Sequence, residues 1–362
     1  MSRSKMKPKD LEPRTGKGFS TRRFLAATLL FSVSLSALTL AQDAKKPPIR
    51  WHEAVKTLTT LTLEQAQEWA DLKNPPLEFT MDGGWAALDA LNTISPEIAE
   101  ALVKAAVPLS LNGLTDLSPE VAVVLAQHKP VPQFGHADLR LNGLKKLSPK
   151  AAEALATHQG KVLLYSLETL DSVPLAQKLA QQWGELRLGV STLSPPIAAE
   201  LAKHRGNEED KTRPGVIARR MDGAASVLRI DNIASLSPET AEALAAHEGV
   251  LVLNDLTSLP PAVAASLTKR VGNSKAKRTG TLVLNGLETL STESATALAA
   301  FTGELVLKAI PELTPETAAA LAKHKGRLHL TGLIKLTPET HAALKTHPNL
   351  LLPHPLPMTA AK

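Results

Sequence analysis

Cysteine is absent from this chain of 362 residues, which excludes disulfide bonds, thiolate metal sites and a cysteine nucleophile. Aromatic residues make up only 3 % of the sequence, whereas the hydrophobic fraction is 43 %. The core must therefore consist of Leu, Ala, Val and Ile, a composition that suits thin, regularly stacked layers. Stability has to come from packing, because no covalent cross-link is available.

The sequence motifs of common enzyme classes are missing as well. The chain contains no HExxH, no GxSxG, no phosphate-binding loop and no dinucleotide fingerprint. Most carboxylates fall at predicted helix starts, where solvent and the helix dipole account for them. We therefore expect a protein that is not an enzyme and needs no cofactor.

The formal charge of +6 is concentrated in one short segment. Residues 1–41 carry eight basic and two acidic side chains, and the rest of the chain carries 33 of each sign. Without that segment the protein is neutral, so a polyanion loses its electrostatic attraction. We expect no nucleic-acid partner.

The same segment has the features of a secretory leader. Arg22 and Arg23 precede the uncharged run Phe24–Leu40, and a small-residue cleavage site ends at Ala41. We predict a signal peptide over 1–41 and an exported protein, whether periplasmic, cell-surface or secreted. An uncleaved segment would instead anchor the chain, which is the one membrane association we foresee. The twin arginines leave the Sec and twin-arginine routes both open.

The remaining chain is an internal repeat of about 23 residues. Each unit has a Ser or Thr suited to cap a helix, usually followed by Pro and Glu, then Ala and Leu at four and seven residues beyond the cap. Glycine twelve residues beyond the cap predicts a left-handed helix end. The capping positions are Thr62, Ser95, Ser118, Ser148, Ser172, Ser194, Ser237, Ser291, Thr314 and Thr337, with Pro260 in the same position.

A short alternating segment precedes most of these caps. Leu109-Ser-Leu111 and Leu282-Val-Leu284 are examples, and their period of two predicts strands with leucine on the inner face. One unit cannot bury its own apolar side, so the units must stack. We predict a linker over 42–57, a solenoid of about eleven units over 58–352 and a proline-rich tail over 353–362.

The unit from Leu282 to Gly303 resembles the leucine-rich-repeat family, and the similarity extends over residues 58–352. The resemblance implies an α/β solenoid with a parallel sheet on one face and short helices on the other. One departure concerns asparagine, which in the family lies between conserved leucines. Here leucine stands near that position, and the asparagines directly follow the strand, at Asn112, Asn142, Asn254 and Asn285.

Two surfaces are candidates for binding. The side chains between the strand leucines face outward on the sheet, where solenoids of this kind usually bind ligands, although valine is also simply a good strand residue. Insertions at 131–137, 207–226 and 273–280 emerge on one rim, either as docking loops or as solvated loops without a role. The candidate residues are Arg140, Arg229, Val252, Val283, Val306 and His329 on the sheet, and Arg219, Arg220, Lys275, Lys277 and Arg278 on the rim.

Histidine recurs ten residues after the cap in six units. Stacked imidazoles can hold zinc or copper, and His204, His247, His324 and His347 are the candidate ligands. The other interpretation is structural, since histidine near a helix end can bond to free carbonyls.

The sequence favours an exported scaffold that binds a protein or a cell-envelope polymer. A structural spacer at the cell surface is the alternative, and metal binding through the histidines is a second one.

Overall fold

The structure, a computed structural model, describes residues 50–72, 78–80, 83–105, 107–129, 138–206, 226–270 and 280–358. These residues lie in one compact unit, Ile49–Lys362. The helices are α1 Trp51–Ala54, α2 Leu63–Ala70, α3 Pro96–Lys104, α4 Pro119–Ala126, α5 Pro149–Ala156, α6 Val173–Ala180, α7 Pro195–Leu201, α8 Pro238–Ala245, α9 Pro261–Thr268, α10 Thr292–Leu298, α11 Pro315–Leu321 and α12 Pro338–Leu344. The strands are β1 Glu78–Thr80, β2 Gly83–Ala87, β3 Leu109–Ser110, β4 Leu139–Arg140, β5 Val162–Leu163, β6 Leu186–Leu188, β7 Val227–Ile230, β8 Val250–Val252, β9 Thr281–Val283, β10 Glu304–Val306, β11 Leu328–His329 and β12 Leu350–Leu351.

The predicted α/β solenoid is confirmed. Within each sheet the strands pair in chain order and in parallel, as stacked strand–turn–helix units require. Among the described strands, only the first pair, β1 with β2, is antiparallel. Each helix from α2 to α12 packs against the next one. We call one strand, its turn and the following helix a coil.

The sheet is not one ribbon but two. β1 to β5 form a five-stranded sheet and β6 to β12 a seven-stranded sheet. Residues 138–206 are all described, so the break between β5 and β6 is a feature of the fold. Other contacts cross it: the Gln182 amide donates to the Val162 carbonyl at 3.1 Å, and the Ser191 backbone N–H donates to the Glu168 carbonyl at 3.0 Å.

The predicted helix caps are confirmed at nine of the ten Ser and Thr positions. In each of the nine the side-chain oxygen accepts the N–H of the residue three positions later. Ser194, which precedes two prolines, makes no such bond. The Ser95 hydroxyl and the adjacent backbone also lower the pKa of Glu97, as expected for a carboxylate at a helix start.

The core is a continuous cluster of leucine and alanine. The inward-facing strand residues Leu109 and Leu111 are fully buried, and so are Ala122 and Leu125 on the helix above them. Because the side chains four and seven residues beyond the cap share one helical face, each helix lies on the sheet through alanine and leucine. The predicted core pattern is therefore confirmed.

The prediction of left-handed glycines at the helix ends is mostly wrong. Among the described glycines only Gly184 and Gly206 have positive φ, 82° and 60°. Gly303 and Gly326 occupy the same repeat position for another reason. A Cβ at either would collide with a backbone carbonyl of the preceding coil, Gly280 O and Gly303 O respectively. Glycine is needed there because the coils approach closely.

The ends of the solenoid differ from the predicted boundaries. Trp51 and Val55, placed in a linker from sequence, are buried in the core cluster at 5 % and 9 % exposure, so the packed unit begins earlier than residue 58. The proline-rich tail pairs with the last coil, since the Leu336 N–H donates to the Pro357 carbonyl at 3.0 Å. The predicted signal peptide lies outside the described residues.

No helix in the described part of the chain has the length and apolar character needed to cross a lipid bilayer.

Two columns of polar side chains join one coil to the next. After the strands, the Asn112 side-chain oxygen accepts the Asn142 N–H, and that of Asn142 accepts the Tyr165 N–H, both at 3.0 Å. Near the helix starts, the Ser294 hydroxyl donates to the Leu259 carbonyl at 2.6 Å and that of Thr340 to the Leu313 carbonyl at 3.2 Å. These bonds pair backbone groups that the short strands leave without partners.

Candidate functional site

The outward-facing side chains of β6 to β12 form one row across the sheet. The strand register places Arg187 beside Arg229, and one residue of each following strand continues the row. Five of the predicted surface residues lie in this row. The complete row is Arg187, Arg229, Val252, Val283, Val306, His329 and Leu351. We call it the outer row.

The apolar part of the outer row is less exposed than the sequence predicts. Val252 and Val306 retain only 4 % and 7 % of their accessible surface, and Val283 is half-buried. The exposed hydrophobic residue of the row is Leu351, at 42 %, on the edge strand. The three valines therefore do not make a broad apolar patch.

The charged end of the outer row contains two crossed ion pairs. Nε of Arg229 lies 2.6 Å from Oε1 of Glu185, and Nε of Arg187 lies 2.7 Å from Oδ2 of Asp231. The hydrogen bond to Asp231 raises the pKa of Arg187. Both pairs span β6 and β7, which fixes the two arginines over the sheet.

Arg187 was missed as a candidate, although its sequence context contains a usable signal. It lies between Leu186 and Leu188, the same alternation that identifies the other strands.

Glu304 organises the opposite end of the row. Its carboxylate accepts a hydrogen bond from the Thr281 hydroxyl at 3.2 Å and lies 2.7 Å from Nε2 of His329. Arg327 is 3.6 Å away and largely exposed. The Glu304 carboxylate and the His329 imidazole therefore lie in contact, although Nε2 of His329 makes no well-aligned hydrogen bond in the described part of the chain.

Arg140 belongs to the other sheet. Its register partners are Ser110 and Leu163, and its guanidinium lies 3.9 Å above the ring of Trp85. Arg140 therefore does not join the other predicted residues in one surface.

The candidate rim residues Arg219, Arg220, Lys275, Lys277 and Arg278 lie outside the described residues. Their role in binding stays a prediction.

The residues ten positions after each cap form a buried column behind the helix ends. We call it the histidine column, although Gln182, Arg270 and Phe301 take the position in three coils. Its imidazoles stack at 5.7 to 6.5 Å between ring centroids. The members from the third coil onward are His128, His158, Gln182, His204, His247, Arg270, Phe301, His324 and His347.

Four of the histidines, His128, His158, His204 and His247, contact a carbonyl at the end of the preceding helix. Three of them also contact a carbonyl just before the strand of their own coil. In His204, Nδ1 lies 3.1 Å from the Ala180 carbonyl and Nε2 lies 2.9 Å from the Gly184 carbonyl. His128 makes the same two contacts with Val103 and Val107. These four imidazoles thereby join the end of one helix to the coil that follows it, which supports the structural interpretation of the repeat at these positions.

This geometry does not favour a metal site in the column. A shared metal requires ring nitrogens directed at one point about 2 Å away, whereas the stacked rings of His204 and His247 are nearly parallel, at 12°, and their nitrogens contact carbonyls. The rings of His324 and His347 also stack, at 5.7 Å and 19°, and Nδ1 of His347 accepts the Asn349 N–H at 3.1 Å. Both nitrogens of His324 and Nε2 of His347 have no hydrogen-bond partner in the described part of the chain. The part of the chain that the structure describes holds no group of three side chains able to ligate a metal.

No protein-family model matches the chain. A search of curated proteins also finds no match. Among solved structures, a leucine-rich-repeat protein of Leptospira interrogans is similar over 84 % of this chain and 88 % of its own, with 18 % identity and a TM-score of 0.29.

Proposed function

We propose that the chain is an exported, non-enzymatic repeat scaffold that binds a protein or a cell-envelope polymer on the outer face of β6 to β12. The observation that carries the proposal is the outer row. Its ion-paired arginines, its half-buried Val283 and its Glu304–His329 pair are aligned on one sheet face by the strand register. Polar groups held in position by ion pairs suit recognition of an extended partner, because little side-chain freedom is lost on binding.

Export rests on the N-terminal leader of the sequence. Mass spectrometry of the mature protein tests it, and we expect an N-terminus at Gln42 after cleavage behind Ala41. A retained leader together with recovery in the membrane fraction would favour the anchored alternative.

Binding is tested by immobilising the mature chain and presenting envelope proteins and isolated wall polymer separately. The informative variants are Arg229→Glu and Val283→Asp, both on the outer row. Lys203→Glu is the matched control, because Lys203 is an exposed residue on the helix side of the solenoid and pairs with Glu200 of the same helix turn. We expect retention to fall in the outer-row variants and to persist in the control. Equal retention in all three variants would place any binding elsewhere, and a deletion of 207–226 would then test the rim.

A spacer is the second candidate, and the polar columns favour it. The asparagine and hydroxyl side chains form hydrogen bonds between one coil and the next. A protein whose role is to form a rigid, regular spacer would require such bonds. Light scattering of the mature chain over a range of concentrations distinguishes the two. Self-assembly without retention of any partner would support the spacer.

A further inference from the structure

The middle of the histidine column brings three basic side chains together without solvent. His204, His247 and Arg270 come from three consecutive coils, and they are 0 %, 0 % and 5 % exposed. The two imidazoles stack at 6.3 Å. Arg270 donates from Nη2 to the Gly249 carbonyl at 2.6 Å.

Each of the two histidines has two carbonyl acceptors. Nδ1 and Nε2 of His247 lie 3.3 Å and 3.2 Å from the carbonyls of Ala202 and Ser226, and His204 makes the shorter contacts described above. A neutral imidazole has one N–H and bonds to one of the two carbonyls, whereas a protonated imidazole donates to both. Hydrogen bonding alone would therefore favour the protonated imidazole.

The surrounding charges oppose that proton. The charge of Arg270 lowers the pKa of His247, and the charges of Lys161 and Arg205 lower the pKa of His204. Glu248 follows His247 in the sequence. Its carboxylate lies 3.6 Å from the guanidinium of Arg205 and its side chain is 37 % exposed, so Glu248 pairs with Arg205 near the surface. Among the described residues, a second cation in this column would therefore lie close to charges of the same sign.

Arg270, beyond its bond to the Gly249 carbonyl, is poorly compensated. Its Nε and Nη1 have neither solvent contact nor a hydrogen-bond partner in the described part of the chain. Atoms without accessible surface leave no room for a water molecule or an anion beside them. A buried charge that gains no partner is strongly destabilising.

The pKa shifts of His204 and His247 agree with the view that the folded chain disfavours their protonation. Burial lowers the pKa of His204, and burial followed by the charge of Arg270 lowers the pKa of His247 to about 4. The unfolded or opened chain, with an ordinary histidine value near 6.5, takes up the protons first.

We propose that the coils containing His204, His247 and Arg270 form an acid-sensitive segment of the solenoid. On acidification below neutrality, uptake of protons by the two histidines beside Arg270 opens the contacts between these coils. The strands β7 and β8 belong to the segment, so opening displaces Arg229 and Val252 from the outer row. The opening is a property of the fold and does not depend on the binding function proposed above.

Hydrogen exchange of the full mature chain, followed by mass spectrometry from about pH 7.5 to about pH 4 and corrected for intrinsic rates, tests the segment. We expect residues 227–268 to lose protection at a higher pH than α4, α5 and β10. Uniform loss in all coils would overturn the proposal. A gain of protection in acid would overturn it too, because the carbonyl pairs would then outweigh the positive neighbours.

The chain itself supplies the matched substitutions. Glutamine occupies the column at position 182, so the fold accepts it there. We expect the double variant His204→Gln/His247→Gln to lower the pH at which the segment loses protection by about one unit or more. His341→Gln, outside the column, should leave it unchanged.

Arg270→Gln is the second variant, since it removes the opposing charge while both histidines remain. The Arg270→Gln variant should also lose protection at a lower pH than the wild-type chain. An opening at the wild-type pH in either variant would refute the role of the column, and Arg270→Gln decides the question if the double variant does not fold.

Discussion

Substitution of Gly143 by alanine tests how closely the coils approach. A Cβ at Gly143 would collide with the Asn112 carbonyl and lie 2.6 Å from the Leu114 carbonyl. Both atoms belong to the backbone of the preceding coil, so neither can rotate aside. Overpacking of this kind costs about 1–3 kcal/mol, and we expect Gly143→Ala to lower the free energy of unfolding by that amount in urea, followed by circular dichroism.

Gly184 provides the contrast, because its φ is +82° and the nearest atom to a Cβ there is the Lys161 amine at 3.5 Å. Alanine at Gly184 should cost roughly 1–2 kcal/mol through backbone strain alone. Asparagine tolerates this conformation, so Gly184→Asn should recover most of the loss, whereas Gly143→Asn should be at least as damaging as Gly143→Ala. Equal tolerance of asparagine at both positions would refute the steric explanation for Gly143.

Three further measurements follow from the packing and the charges. Asn142→Ala leaves the Tyr165 N–H without its acceptor and should cost about 1–2 kcal/mol in urea unfolding, whereas Asn142→Asp, which keeps an acceptor, should cost less. Leu282→Ala, at a fully buried position, should cost about 2–5 kcal/mol, while Ile334→Ala, at 66 % exposure, should be nearly neutral. The pKa of His247 is lowered to about 4 from an unfolded value of 6.5. Its contribution to stability is therefore complete above pH 6.5 and is lost as the pH falls towards 4. A calorimetric pH series should show a loss of about 3 kcal/mol from this group.

The core could be predicted because its rules are local. The spacing of Ala122 and Leu125 on one helical face, and of Leu109 and Leu111 on one strand face, is set by the periods of the two elements. The caps are local as well, since a hydroxyl reaches the N–H three residues later. Stacking then follows from the size of the unit.

Features that depend on the neighbouring coil could not be predicted. The glycine at 303 was interpreted through its own backbone conformation, but its reason is a carbonyl 23 residues away, at Gly280. The histidines were expected to bond to free carbonyls at a helix end, and four of them do, but the helix is that of the preceding coil. The burial of Val252 and the break between β5 and β6 likewise depend on how the coils pack, which the repeat pattern does not determine.

The break between β5 and β6 also shows what holds this solenoid together. At that junction the strand ladder is absent, yet α5, α6 and α7 pack in sequence and Gln182 supplies a side-chain bond across it. Strands of two to five residues offer few backbone hydrogen bonds in any coil, so the helix layer and the polar columns must carry much of the cohesion throughout. The histidine column is therefore part of the stacking mechanism, and its sensitivity to acid follows from its use of buried imidazoles where Gln182 and Phe301 show that uncharged side chains also fit.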